Sequence, residues 1–545
     1  MKKKVLFFLF FLLSLNAWSA EWQWSVPVKG AIENAGRSRA FLWIPPNCKR
    51  IRGVIVAQHN MEEIMILENP GFRKAMSELG FAEIWCAPSF DHLFRFNQGA
   101  GDVFNGMMND LANESGYTEL NDIPIVPMGH SAAASWPYYF AAWNPERTLA
   151  SISVSGQWPY FRNKDFAPDI WGDKNNDFVP CLETMGEYES AGSWSTEGLK
   201  ERQQHPLMPL SMLACPGEGH FSSSDKKAEY IALYIRKAVQ YRMSKDLPVS
   251  GSVKLRLIDP SKTGWLVEKW IPNHPPTIAP APVNQYKGDT KQAFWFFDEE
   301  LAKATVDYET AYRGLKPQLV GYQQGGKMVP QSNTHLQVNL KFQPLEDGIT
   351  FQLASAFYDT IPGGSPRLPG WAGLPVGSPI GHASGNIPVT IDRICGPFEK
   401  LGKEKFALRF DRATEFNKPR VELVFAAKHP GDNEYKQAIQ QASMMVPIRN
   451  TEGATQVIAF PKVSDQNTKS KSVKLIATSD SGLQVNYYVR QGPAEVEGNQ
   501  LLFTQIPPRS KFPIKVTIVA WQYGRNSEPK IQTAEQVEQT FMIVK

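Results

Sequence analysis

Residues 123–144 read IPIVPMGHSAAASWPYYFAAWN, and this stretch decides how the first half of the chain is read. Ile123 to Met128 form a short apolar run of the kind that suits a strand buried on both faces. From Ser131 to Asn144 the pattern is helical. Between strand and helix stand Gly129, His130, Ser131, Ala132 and Ala133. A serine on so tight a turn needs small residues two before and two after it, so that strand and helix can pass closely. Gly129 and Ala133 meet that need. The helix start behind Ser131 would aim its N–H groups and positive dipole end at developing negative charge. The plain alternative is a serine capping an ordinary helix, and the rest of the chain decides between the two.

Outward from this stretch, strands and helices alternate. RAFLWIP (39–45) and GVIVAQH (53–59) read as strands, PGFRKAMSELG (70–80) as a helix and FAEIWCAP (81–88) as a strand. A helix over 102–116 precedes the quoted strand. Strands over 149–156, 178–186 and 209–217 follow it, and a long amphipathic helix over 225–243 closes the series. Such alternation means βαβ units, and predicts an α/β fold with a doubly wound, mostly parallel sheet and helices on both faces.

A serine nucleophile needs a base and an orienting acid. His220 lies on a glycine-flexed loop, GEGHF (217–221), after the last strand. His130 sits inside the turn itself and reads as structural, while His205 belongs to a connector. Between Ser131 and His220, strand 178–186 ends in Gly186-Glu187-Tyr188-Glu189. Glu189 and Glu187 are the candidate acids, with Asp165, Asp169 and Asp173 behind them in the preceding loop. For each the plain reading is a solvated loop charge.

Residues 20–245 resemble the α/β-hydrolase superfamily, and within it the secreted serine carbohydrate esterases of bacterial polysaccharide-utilisation systems. The residues that carry the resemblance are GHSAA (129–133), GEYE (186–189) and GEGHF (217–221), under half of the chain. Ala133 replaces the second glycine of the usual G-x-S-x-G. The resemblance implies the order Ser131, Glu189, His220 for nucleophile, acid and base. It implies an oxyanion hole from the backbone N–H of Ala132 and of Asn60 or Met61, in a loop that lacks the glycines usual there. It also implies no metal and no cofactor.

Beyond Met243 the alternation stops. SVKLRLID (252–259) and GWLVEKW (264–270) read as strands, 271–283 as a proline-rich connector and 291–314 as a helix. Strands and turns then run to the C-terminus. The expected organisation is an export signal at 1–19, an α/β unit at 20–245, a β-rich accessory region at 246–450 and a β-sandwich at 451–545. That last unit resembles the immunoglobulin-like modules of exported bacterial hydrolases. The chain's 545 residues leave room for three or four domains.

The export signal is read from three lysines at 2–4, an apolar run over 5–15 and Ala17-Trp18-Ser19 as a cleavage site. The run is shorter than the roughly 20 residues of a membrane span, so an uncleaved anchor is the lesser reading and the mature chain is expected in the periplasm or medium, without a span. The formal net charge is +4, and Lys2, Lys3 and Lys4 supply most of it. A near-neutral body excludes a nucleic-acid binder. Five widely spaced cysteines without a CxxC pair exclude a zinc or thiol-redox motif. Nothing in the sequence sets an oligomeric state.

The chain holds 15 Trp, 17 Tyr and 31 Phe. Trp158, Tyr160, Trp171 and Trp194 lie in segments able to border the site, where flat rings beside polar groups would suit a sugar; core packing is the plain reading for any one of them. Arg95 and Arg162 could hold a uronate carboxylate. The expected function is ester hydrolysis on a glycan, of an acetyl or other acyl group. A uronate methyl-esterase, a serine peptidase, a lipid or polyester hydrolase and a non-catalytic glycan-binding protein are its rivals.

Overall fold

The computed structural model describes residues 22–545 except 167–168, 223, 246–250 and 334–335. The expected export signal at 1–19 lies outside the described residues.

Eight strands form the first sheet: β1 (Trp24–Pro27), β2 (Arg39–Trp43), β3 (Gly53–Gln58), β4 (Phe81–Ala87), β5 (Ile125–His130), β6 (Ser151–Val154), β7 (Cys181–Gly186) and β8 (Leu210–Cys215). Their order is β1-β2-β4-β3-β5-β6-β7-β8. Only β2, against β1 and β4, runs antiparallel; β4 and β3 and all from β5 to β8 are parallel. Every residue of β3, β5, β7 and β8 is buried, as strands covered on both faces must be. The order reverses between β3 and β5. At such a switch point the connections leave in opposite directions and open a crevice beyond the strands' C-terminal ends.

The crossover helices begin and end where local chemistry predicts. They are α1 (Glu63–Leu67), α2 (Pro70–Leu79), α3 (Ala100–Ser115), α4 (Trp136–Trp143), α5 (Ala191–Gln204) and α6 (Asp225–Arg242). Asn69 caps α2 by accepting the Phe72 N–H, Pro70 sits in its first turn, and Gly80 closes it at φ +71°. Ser224 caps α6 by accepting the Lys227 N–H. The helix expected over 131–144 is split: Ser131–Ala133 make a 3-10 turn and α4 starts only at Trp136, with Pro137 in its first turn.

Three expectations need correction. The helix expected over 291–314 begins as a strand: Ala293–Phe296 is β11, and α7 covers only Glu299–Thr310. The run AFWF is aromatic and fully buried, which a strand accommodates. Asp298 then caps the helix by accepting the Leu301 N–H at 3.0 Å. The second concerns the border at 245/246, beyond which residues 246–250 lie outside the description. The first core continues past it. β11 pairs with β9 (Trp265–Glu268), which also pairs with β10 (Ala281–Pro282). β11 lies against β8, where the Ser211 hydroxyl donates to the Trp295 carbonyl. Leu266, Phe294, Trp295, Phe296 and Leu301 belong to the same buried cluster as β3 and β5. The segment 265–310 thus covers the β8 edge of the first sheet. SVKLRLID, expected as a strand, forms none.

Two further β units follow. In the middle unit, strands Val338–Leu340, Ala438–Pro447, Arg420–His429 and Thr390–Cys395 form a four-stranded sheet. Phe351, Phe398, Phe406 and Phe425 pack in its core, with Phe398 and Phe425 ring centres 4.4 Å apart. The last unit has four-stranded and three-stranded sheets between residues 466 and 544. Its Tyr488, Trp521 and Tyr523 enter the core of the middle unit, while Tyr487, Val489, Val516 and Phe541 belong to the same buried cluster as the first sheet. All five cysteines are buried and unbridged.

Trp295 is 1% exposed. Trp295→Ala should cost about 3–5 kcal/mol and speed amide exchange across β8, residues 210–215. Exchange confined to 265–310, with β8 unaffected, would show that this segment folds apart from the first sheet.

Candidate active site

Ser131 follows β5 directly, at the switch point. Its φ is +52°, in the left-handed region that non-glycine residues rarely occupy. Gly129 makes the turn possible: a Cβ there would lie 1.9 Å from the Ala133 carbonyl oxygen. Trp136 ties the helix back to the strand by donating its indole N–H to the Met128 carbonyl at 2.8 Å.

His220 leaves the C-terminal side of β8, and Glu189 follows β7. The His220 Nε2 is 2.7 Å from the Ser131 Oγ, and its Nδ1 is 2.6 Å from the Glu189 Oε1. The two loops touch where Gly186 ends β7, since a Cβ at Gly186 would lie 2.5 Å from the Glu218 and Gly219 carbonyl oxygens. Of the candidate acids, only Glu189 reaches His220. Glu187 instead accepts the Gly217 N–H at 2.7 Å and the Lys436 ammonium at 2.9 Å. Asp165 pairs with Arg162 and Asp169 accepts the Trp171 N–H. Asp173 is an exposed residue of the same loop.

The oxyanion donors need correction. Ala132 has the first N–H after Ser131, ahead of the bond from the Ala134 N–H to the Ser131 carbonyl. The Asn60 and Met61 N–H groups, in contrast, both donate to Glu63 Oε2, at 3.0 and 2.7 Å. Glu63 Oε1 accepts the His130 N–H at 2.7 Å. Without glycine, the loop folds onto this carboxylate and its amides point inward. Glu63 is completely buried, and burial pushes its carboxyl up to about 7 although these N–H donors pull the other way. Sequence reading missed Glu63. The signal was its spacing, three residues after Asn60, at which a carboxylate near a helix start reaches back to backbone N–H groups.

A second missed group stands behind His220. Lys227 lies between Glu62 and Glu218, at 3.3 and 3.0 Å, with all three side chains at most 4% exposed. Burial works against the Lys227 charge, but Glu218 and Glu62 outweigh it and hold the ammonium protonated. The Ser222 hydroxyl donates to Glu218 and its N–H to Glu62, which anchors the far end of the histidine loop.

The aromatic residues proposed to meet substrate are mostly core. Trp158 is 1% exposed, stacks on Phe294 and donates its indole N–H to the Trp194 carbonyl. Trp171 is buried edge-on against Tyr139. Tyr160 stacks on His205 at 3.6 Å. Trp194 packs against Trp158 and Phe161. Trp158 thus packs on an apolar flank that Phe294 of β11 extends, which no local pattern announces. Arg95 is neutralised by Asp91 at 2.6 Å and Glu33 at 2.9 Å.

A parallel sheet with one antiparallel strand near its edge carries, in chain order, a strained serine after β5, an acid after β7 and a histidine after β8. This strand order and placement are those that the α/β-hydrolase resemblance implies. No protein-family model matches the chain, and no curated protein matches it. Solved structures similar to it include the fluorophosphonate-binding serine hydrolase FphF of Staphylococcus aureus (12% identity, 39% of this chain and 97% of that chain, TM-score 0.29). Est1E from Butyrivibrio proteoclasticus is 16% identical over 37% of this chain and 93% of its own, with TM-score 0.26. A dienelactone hydrolase from Anabaena variabilis is 15% identical over 40% of this chain and 96% of its own, with TM-score 0.27. Among the described residues, no helix is long and apolar enough to cross a membrane, and no cluster of metal-ligating side chains occurs.

Strain at residue 131 predicts an unusual stability order. Ser131→Gly should be more stable than Ser131→Ala by about 1 kcal/mol in chemical denaturation, because glycine adopts a positive φ without penalty. Equal stability would mean that the turn is unstrained.

Proposed function

We propose that this chain is a serine ester hydrolase with Ser131 as nucleophile, His220 as general base and Glu189 as the orienting acid. One observation carries the reading: the hydrogen-bonded series Ser131, His220, Glu189, set on a strained turn at the open end of a parallel sheet. His220 Nε2 takes the Ser131 proton as Oγ attacks the ester carbonyl. Glu189 holds the imidazole with Nε2 toward the serine and stabilises the imidazolium that forms. The Ala132 N–H, in the 3-10 turn that follows the serine, stabilises the oxyanion. His220 then protonates the departing alkoxide, activates water for attack on the acyl-enzyme, and returns the proton to Ser131 as the acid product leaves.

The narrower reading is an exported enzyme that removes an acetyl or other acyl group from a glycan. It is supported by the leader-like pattern at 1–19 and by two β units beyond the catalytic one, the last of which we take as immunoglobulin-like. Arg95 and Arg162 are each paired with carboxylates, which favours a neutral acyl ester over a uronate.

The test offers p-nitrophenyl acetate, acetylated and methyl-esterified polysaccharides, and peptides to the full chain. Wild type should hydrolyse the acetyl esters, and Ser131→Ala should lower kcat by at least about 10³. Glu189→Gln should lower it by about 10²–10⁴, through loss of the correct imidazole tautomer. Equal turnover by wild type and Ser131→Ala would overturn the mechanism, and cleavage of peptides alone would overturn the ester specificity.

A further inference from the structure

The loop that carries His220 is held by residues more than two hundred positions away. Strand Ala438–Pro447 of the middle unit runs beside it. The Phe221 N–H, one residue past His220, donates to Gln441 Oε1 at 3.0 Å. One residue before His220, a Cβ on Gly219 would lie 3.2 Å from the same oxygen. The Gln441 carboxamide therefore straddles the histidine along the backbone.

Its neighbours close the rest of the loop. Gln437 donates its amide N–H to the Pro216 carbonyl at 2.6 Å. Lys436 donates to Glu187, whose other oxygen accepts the Gly217 N–H, so one carboxylate links the acid turn, the histidine loop and the middle unit. Tyr188, the residue before Glu189, stacks on Trp371 at 4.6 Å and accepts the Trp371 indole N–H on its carbonyl at 3.0 Å. Gln441 and Lys436 are 3% and 4% exposed, so these bonds form in an interior where they are strong and where losing one leaves a buried polar group unpaired.

The loop itself cannot supply this order. Gly217 and Gly219 give it more backbone freedom than any other pair of residues would. Yet its histidine must stay within hydrogen-bond reach of Ser131 and Glu189 at once, and a misplacement of about 1 Å costs on the order of 10² in rate. An outside clamp resolves the conflict.

We propose that Gln441 is a positioning residue for His220, and that the middle β unit is thereby part of the active-site scaffold; this rests on the serine-hydrolase reading. A contact that merely glued two units together would change stability and leave the geometry of His220 alone.

The experiment compares full-length wild type, Gln441→Ala and Gln441→Glu, the last of which keeps a side-chain oxygen to accept the Phe221 N–H. Three quantities are read: kcat and KM on p-nitrophenyl acetate, the melting temperature, and the far-downfield proton resonance of the His220 Nδ1–H bonded to Glu189, assigned by its loss in His220→Gln. Gln441→Ala should lower kcat about 10- to 100-fold with KM within about twofold, and should broaden or abolish the resonance. Gln441→Glu should restore the resonance and bring kcat to within about threefold of wild type. Unchanged kcat and resonance in Gln441→Ala would overturn the proposal, as would equal loss in both variants. If Gln441→Ala does not fold, Gly219→Ala, whose methyl presses on Gln441 Oε1, is read in the same way. The resonance needs no substrate. A resonance that answers to Gln441 in a protein without esterase activity would retain the positioning role and reject the proposed function, and an active enzyme whose resonance ignores Gln441 would do the reverse.

Discussion

The reversal of strand order between β3 and β5 is the constraint on which the rest depends. Connections that leave in opposite directions cannot cover the sheet edge between them, so the C-terminal ends of these strands face a crevice. Ser131, Glu189 and His220 all hang from that edge, after β5, β7 and β8. Burial on both faces makes those strands rigid, and rigid strands fix where three short loops begin.

What the strands leave open, close backbone approach completes. Gly129 lets the chain after Ser131 fold back against β5, and Gly186 lets the acid turn touch the histidine loop. Any Cβ at either site would meet a carbonyl oxygen, so the geometry of the three side chains depends on two residues that have none. Buried charge does the remaining work. Glu63 gathers the backbone N–H groups after β3 and at the end of β5, and Lys227 with Glu62 and Glu218 anchors the loop past His220. Each is costly to bury alone and is retained by its partners.

The β-rich remainder of the chain is bound into this arrangement. Residues 265–310 cover the β8 edge, and strand Ala438–Pro447 reaches the histidine loop through Gln441. The last unit shares its core with the middle one through Trp521 and Tyr523.

Much of this was legible in the sequence, because its signals are local. The period of apolar residues marked the strands, small residues at 129 and 133 marked the turn at Ser131, and glycines marked the loops of Glu189 and His220. AFWF misled within the helix expected over 291–314, because a short apolar run satisfies either period until a partner strand is known. The rings at 158–171 misled for a related reason: a tryptophan facing a ligand and one facing β11 have the same local pattern. The resemblance pointed to Glu189 with Glu187 as the alternative; the engagement of Glu187 by Gly217 and Lys436, the capture of the Asn60 and Met61 amides by Glu63, and the hold of Gln441 on His220 came only from tertiary structure. They depend on distances between groups far apart in the chain, and a sequence carries the identity of such groups but not the space between them.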